Sequence, residues 1–488
     1  MKLFTIGDSI SQGFMSMAAA RTDLSYSSLI AEVMGLVPKS YYYPEWAVGG
    51  MPINLENLFR RLSKKMKNRI DFWEWPNMLI GINQFLDEVE DYYERGLGRE
   101  DAKYDGEGDF YHNIAIRGFN VGDSWKLTSE LCLKYIKEAR EARDQVFAAP
   151  NQSFYRTALK VLNPKLEDKY MNFTQLDWLE KHSESDDGLE NLFLWLGPNN
   201  ALSTLLDMEI RQTRGDGTIV EMSYEDRSNA NYNLWHPDDF INEYQQLIER
   251  VDAAMQKNKY QNWKVFVGNV PLITIAPFAR GLGKKTKTDT GIYYDFYTYF
   301  PYDKDSLANN KHLPKLSRED VMFIDASIRR YNKGINKILN DLNNKYQTNE
   351  GVKRYFVIDV AEILSQMAIK RNNGEVKYDF PDYVKMRYPV VNTKYYQTDN
   401  QGRIKQGGIF SLDGVHPSAI GHGLLAYEFM RVMEKAGVIF SEKSALQWDK
   451  IYASDTLYST PIPLVNELFE HDKLKEWIAP FLKHFLEK

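Results

Sequence analysis

The chain has 488 residues, 43% hydrophobic and 26% charged, the composition of a folded globular protein and not of a disordered one. Its 61 Lys and Arg against 67 Asp and Glu leave a net charge of -6, without the basic excess that neutralises phosphates, which argues against nucleic acid as a partner. A single cysteine, Cys132, excludes an internal disulfide and thiolate zinc sites, and no apolar run approaches the roughly 20 residues of a membrane span. No apolar signal stretch follows Met1, so the chain reads as cytoplasmic.

In chain order, short apolar runs at 3–6, 113–116, 192–196, 265–270 and 355–360 lack a helical period and end in turn residues, which predicts buried strands. Helical periods occupy 125–146, 238–256 and 318–346. Strands alternating with helices predict an α/β fold with a parallel sheet covered on both faces. The spacing is uneven, because 50–112 and 125–188 are far longer than a simple crossover needs. These two stretches are expected to be helical insertions in one domain spanning 1–440. Residues 441–488, amphipathic to the end at 474–486, are expected to form a helical extension packed on that domain.

Residues able to do chemistry stand at the ends of these runs. Gly7-Asp8-Ser9-Ile10-Ser11-Gln12-Gly13 follows the first, and open α/β sheets place reactive groups at the carboxyl ends of their strands. The triplet recurs at Gly122-Asp123-Ser124 before a helical pattern, where Asp123 or Ser124 is expected to cap the helix. Near the other end stands Ser411-Leu412-Asp413-Gly414-Val415-His416-Pro417. Serine becomes a nucleophile when a base takes its proton, and an acid must hold that base in one tautomer. Asp413, three residues before His416, can accept the imidazole Nδ1–H and leave Nε2 facing a serine. The same loop also suits a turn capped by Asp413, with Pro417 opening the next helix.

Two further pieces are looser. Gly197-Pro198-Asn199-Asn200 ends the third run and offers either a side-chain amide donor or ordinary turn chemistry. Gly118 follows the second run and can bring its backbone N–H close to a ligand; Gly49-Gly50, after Trp46-Ala47-Val48, is its rival for that role.

Ser9, Gly118, Asn199 and the pair Asp413 and His416 thus occur in an order that resembles the SGNH hydrolases, the GDSL-type esterase/lipase family. The likeness rests on Gly7-Asp8-Ser9 with Gly13, on 113–118, on Gly197 with Asn199, and on Asp413-Gly414-Val415-His416-Pro417. It covers scattered blocks between residues 1 and 435 and finds no counterpart for the insertions or the tail. Asn200 departs from the family, which usually has Asp there. The resemblance implies a flavodoxin-like, three-layer α/β/α fold with a five-stranded parallel sheet. It implies Ser9 as nucleophile, His416 as general base and then acid, Asp413 orienting it, and an oxyanion hole of the Ser9 and Gly118 N–H groups with the Asn199 amide. The implied activity is hydrolysis of a carboxylic ester, of a lipid, an acylated carbohydrate or another small molecule, through an acyl-enzyme without cofactor or metal. An acyltransferase with the same triad and a silent binding protein with the same fold are the alternatives, and oligomeric state stays open.

Other patterns are set aside. Gly281-Leu282-Gly283-Lys284-Lys285-Thr286 imitates a phosphate-binding loop but has Lys285 where Ser or Thr is required, so a basic surface loop is expected. The aromatic stretch 293–300 is expected to be a loop, and His422 to be structural or superficial. The insertions emerge near strand ends that should carry the site, so at least one is expected to cap the cleft over Ser9.

Overall fold

The computed structural model describes residues 1–19, 21–46, 53–66, 75–104, 108–141, 152–302, 311–388, 390–391, 396–398, 404–440 and 445–466. Its central sheet has four parallel strands, β1 (Leu3–Gly7), β2 (Asn191–Trp195), β3 (Lys264–Gly268) and β4 (Tyr355–Ile358), paired in that order. Both faces of the sheet are covered, which is why the strands read as continuous apolar runs and not as alternating ones. Phe4, Ile6, Leu192, Leu194, Val265 and Val267 belong to one core, with helices Pro237–Gln256 and Arg318–Glu350. Leu3, Phe193, Trp195, Phe266 and Ile358 belong to the other, with Tyr26–Val33 and Ala419–Lys435.

The run at 113–116 is not a fifth strand. It lies parallel to β1 through one bridge, Thr5 to Asn113, with Thr5 N–H donating to His112 O (2.8 Å) and Ile114 N–H to Thr5 O (3.0 Å). Ile116 N–H also donates to Gly7 O (3.1 Å), but Gln175 Nε2 takes Ile114 O (2.7 Å) and shares Gly7 O (3.1 Å), and Ala115 N–H turns to its neighbour Asn113 Oδ1 (3.1 Å), so no regular ladder forms.

The long helices form where their caps allow. Arg318–Glu350 opens on a capping box between Ser317 and Asp320 and runs past the predicted 346 to Gly351, whose φ of 70° closes it. The helix predicted over 125–146 is broken into Asp123–Lys126 and Ser129–Glu141. Leu127 is extended there, and Thr128 Oγ1 accepts Leu131 N–H (3.2 Å) to restart the helix.

Two expected loops are strands. Ala279–Thr288 and Gly291–Tyr299 pair antiparallel, with Leu316–Ser317 beside them. The aromatic stretch is anchored, not free: Tyr293 Oη donates to buried Asp325 (2.8 Å), and the Arg371 guanidinium stacks 4.2 Å from the Tyr293 ring centre. The basic residues Lys284 and Lys285 sit on the exposed strand of that hairpin.

Within the two insertions lie helices Leu55–Met66, Trp75–Glu94, Ser129–Glu141, Ser153–Leu162 and Gln175–Ser183. The described part of the extension, 445–466, packs on the domain. Asp455 Oδ2 accepts Ile420 N–H (3.0 Å), and Arg60 donates to the carbonyls of Thr456 and Thr460. The segment 474–486 lies outside the described residues. Among the described residues no helix is long and apolar enough to cross a membrane.

Candidate active site

Ser9 begins a one-turn helix, Ser9–Gln12, directly after β1. Asp8 caps it by accepting Ile10 N–H at Oδ1 (3.0 Å), and Gly13 ends it at φ 81°, so Ser9 is held at the carboxyl edge of the sheet. His416 arrives 407 residues later, yet its Nε2 stands 2.9 Å from Ser9 Oγ. Its Nδ1 is 3.0 Å from Asp413 Oδ2.

The loop 411–417 is shaped to make this possible. Gly414, at φ 70°, lets the chain turn back so that Val415 and His416 N–H groups both donate to Asp413 Oδ1 (2.9 and 2.8 Å). Met17 N–H donates to Asp413 Oδ2 (2.9 Å), and Ser16 exchanges bonds with Ser411 and Leu412, which docks this loop on the one carrying Ser9. The Phe14 ring packs 4.7 Å from the imidazole, centre to centre.

Electrostatics separate the two carboxyls of the site. Burial alone would raise Asp413, but the His416 charge, its ring bond and the two backbone donors outweigh that and hold the group below its usual value. It is therefore an ionised acceptor for Nδ1–H. Asp8 is as deeply buried with fewer donors, and desolvation pushes its carboxyl up to about 7 against the Ile10 N–H and the His416 charge.

Asn199 begins the helix after β2, Asn199–Asp207, and its Nδ2 donates to Phe119 O (2.9 Å) and to Asp8 Oδ2 (3.3 Å). Gly118 sits between two tethers: Arg117 N–H donates to Gln12 Oε1 (3.0 Å), and Phe119 is held by Asn199. Its φ of 74° suits glycine. The N–H groups of Ser9 and Gly118 have no acceptor among the described residues, so both can serve an added oxygen. The rivals Gly49 and Gly50 lie outside the described residues. Ser124 is fully buried and its Oγ donates to Val121 O (2.8 Å), which removes it from any such role. Neither it nor Asp123 caps the helix as expected; Asp123 Oδ2 accepts Asn120 N–H (3.0 Å) in the preceding turn.

Several contributors were not legible in the sequence. Asn200 accepts Val121 N–H (3.1 Å) and donates to buried Glu243 (3.2 Å), so its amide braces the Gly118 loop. The insertions brace the same loops from outside. Ser153 Oγ accepts from Arg117 (2.8 Å), and Ile53 and Leu55 N–H groups donate to Met17 and Ser16 carbonyls.

A mostly apolar cavity opens at Asp8, Ser9, His416 and Asn199, with Trp195, Leu202, Pro271, Leu272, Ile273, Ile275, Ala276, Ile363, Leu364, Met367 and Leu424 around it. A polar cavity borders Gly118 and Asn199 on another side. The described residues lining the two cavities include none from 50–112 or 125–188; the apolar wall comes from 271–276 and helix Val360–Met367 instead. Pro271 and Pro277 bracketing Leu272-Ile273-Thr274-Ile275-Ala276 were the available signal that this apolar stretch had left the sheet. Among the described residues no group of three or more His, Cys, Asp or Glu side chains is arranged to hold a metal ion.

Set against models of known protein families and against curated protein sequences, the chain matches none of them.

Proposed function

We propose that the protein is a serine hydrolase of the SGNH, GDSL-type kind that cleaves carboxylic esters through an acyl-enzyme. The observation that carries this reading is the relay from Ser9 Oγ to His416 Nε2 (2.9 Å) and from His416 Nδ1 to buried Asp413 (3.0 Å). The run at 113–116, although it makes one bridge and no strand, lies parallel to β1 at the sheet edge where the resemblance implies a fifth strand.

In the reaction, His416 Nε2 takes the Ser9 proton as Oγ bonds to the acyl carbon, and the carbonyl electrons move onto oxygen. The N–H groups of Ser9 and Gly118, with the Asn199 amide, stabilise that oxyanion. Collapse breaks the bond to the alcohol oxygen, which receives the proton from His416. Water then repeats the sequence on the acyl-enzyme, and the carboxylic acid leaves. Asp413 stays ionised throughout and holds the imidazole in the tautomer with Nδ1–H.

A fluorophosphonate probe followed by peptide mapping tests nucleophile and class together. The expected result is one adduct, on Ser9. Absence of any adduct, with no turnover of activated esters, overturns the proposal.

A further inference from the structure

The two cavities that meet at Asn199 have opposite chemistry. The one reaching Ser9 and His416 is walled by Leu202, Ile273, Ile275, Leu364, Met367 and Leu424. The cavity beside Gly118 is walled by Asp123, Asp207, Arg211, Arg227, Tyr224 and Trp235. We infer that the apolar cavity holds the aliphatic acyl chain of the substrate, so that the ester cleaved carries a fatty acyl group and not an acetyl group on a carbohydrate. This rests on the hydrolase reading above.

An acetyl group would leave most of these walls facing water, and sugar hydroxyls would find no hydrogen-bonding wall there. A chain laid in the polar cavity would instead strip water from Asp123, Asp207 and Arg211. The apolar wall is also held from behind. Half-buried Lys370 Nζ donates to the carbonyls of Thr274 (3.2 Å), Ala276 (2.7 Å) and Ala279, and Arg371 donates to Thr274 Oγ1 (2.8 Å). The cavity is thereby preformed, and no ordering of 273–276 is needed when a chain enters. The acyl side is favoured over the alcohol side because the chain joined to Ser9 stays through the acyl-enzyme, whereas the alcohol departs midway.

The test is a series of p-nitrophenyl esters, acetate to decanoate, with one leaving group throughout. The specificity constant should rise about fourfold per added methylene until the cavity fills. Leu364→Trp, at the half-buried mouth, should move the preferred chain to shorter esters while an ethyl fluorophosphonate still labels Ser9. Thermal stabilisation by decanoate but not acetate gives a readout independent of turnover and of any variant. Acetate preferred over octanoate, or equal stabilisation by both acids, overturns the inference while labelling of Ser9 keeps the hydrolase reading. Stabilisation by decanoate without labelling or turnover overturns the hydrolase reading and leaves the cavity as a site for a fatty chain that is not cleaved.

Discussion

Asp8 and Asn199 are joined by a hydrogen bond of 3.3 Å from Nδ2 to Oδ2, which ties the residue before Ser9 to the helix after β2. With Phe119 O as its other acceptor, the Asn199 amide has both N–H groups engaged inside the protein. In the proposed reaction, an oxyanion at Ser9 would have to compete with one of these acceptors. The Asp8 carboxyl is the weaker rival when neutral, and its burial keeps it neutral up to about pH 7.

Asn199→Ala is expected to lower kcat by roughly 10²–10³, the range for losing one oxyanion donor, with a smaller change in KM. Steady-state kinetics on a soluble ester separate the two constants. An effect confined to KM would make Asn199 a positioning residue for bound substrate instead.

Asp8→Asn is expected to change the pH dependence of stability with a definite sign. The folded carboxyl titrates at about 7, against 3.8 unfolded, so the fold holds an extra proton between those values. Stability from this group is present at low pH and is lost as pH rises through about 4 to 7. At about 1.4 kcal/mol per pKa unit, the variant should gain about 4 kcal/mol on the wild type between pH 4 and pH 8. Urea unfolding at both pH values measures this, and a difference independent of pH would place the Asp8 titration elsewhere.

Ser9→Ala and His416→Ala should each abolish fluorophosphonate labelling or ester turnover without loss of helical circular dichroism. Ser124 should stay unmodified, because its Oγ is buried and bonded to Val121 O. An adduct on the Ser124 peptide with Ser9 untouched would remove the relay from the chemistry.

How much of this was written in the sequence differs by element. The four strands were legible because burial on both faces requires unbroken apolar runs, and Asp413 with His416 because a three-residue spacing on one loop suffices for their bond. The run at 113–116 looked identical, yet its failure as a strand depends on Gln175, which reaches Ile114 O across 61 positions of sequence. The stretch 293–300 read as a loop; in the fold it is a strand whose Tyr293 and Tyr297 bond to Asp325 and Arg371, contacts that only the fold assembles. The part played by 271–276 in the apolar wall was hidden for the same reason: it is fixed by Lys370, nearly a hundred residues away in sequence.

The final prediction concerns His422, six positions after His416 but wholly inside helix Ala419–Lys435 and its packing, with no solvent exposure. Neither ring nitrogen has a hydrogen-bond partner among the described residues. Burial, aided by the charge of His416, pushes its pKa down to about 3, while the unfolded chain titrates at 6.5. Below that value the unfolded state takes up a proton that the fold refuses. Stability from a neutral His422 is thus complete above about pH 6.5 and drains away as pH falls toward 3. The loss by pH 5 should be about 2 kcal/mol, from the 1.4 kcal/mol carried by each pH unit. His422→Leu carries no proton and no unpaired nitrogen, so it should match or exceed the wild type at pH 8 and outlast it by about 2 kcal/mol more at pH 5. Labelling of Ser9 should be unchanged, because His422 is no part of the relay. Parallel stability curves for the two proteins between pH 5 and pH 8 would show that His422 accepts its proton inside the fold.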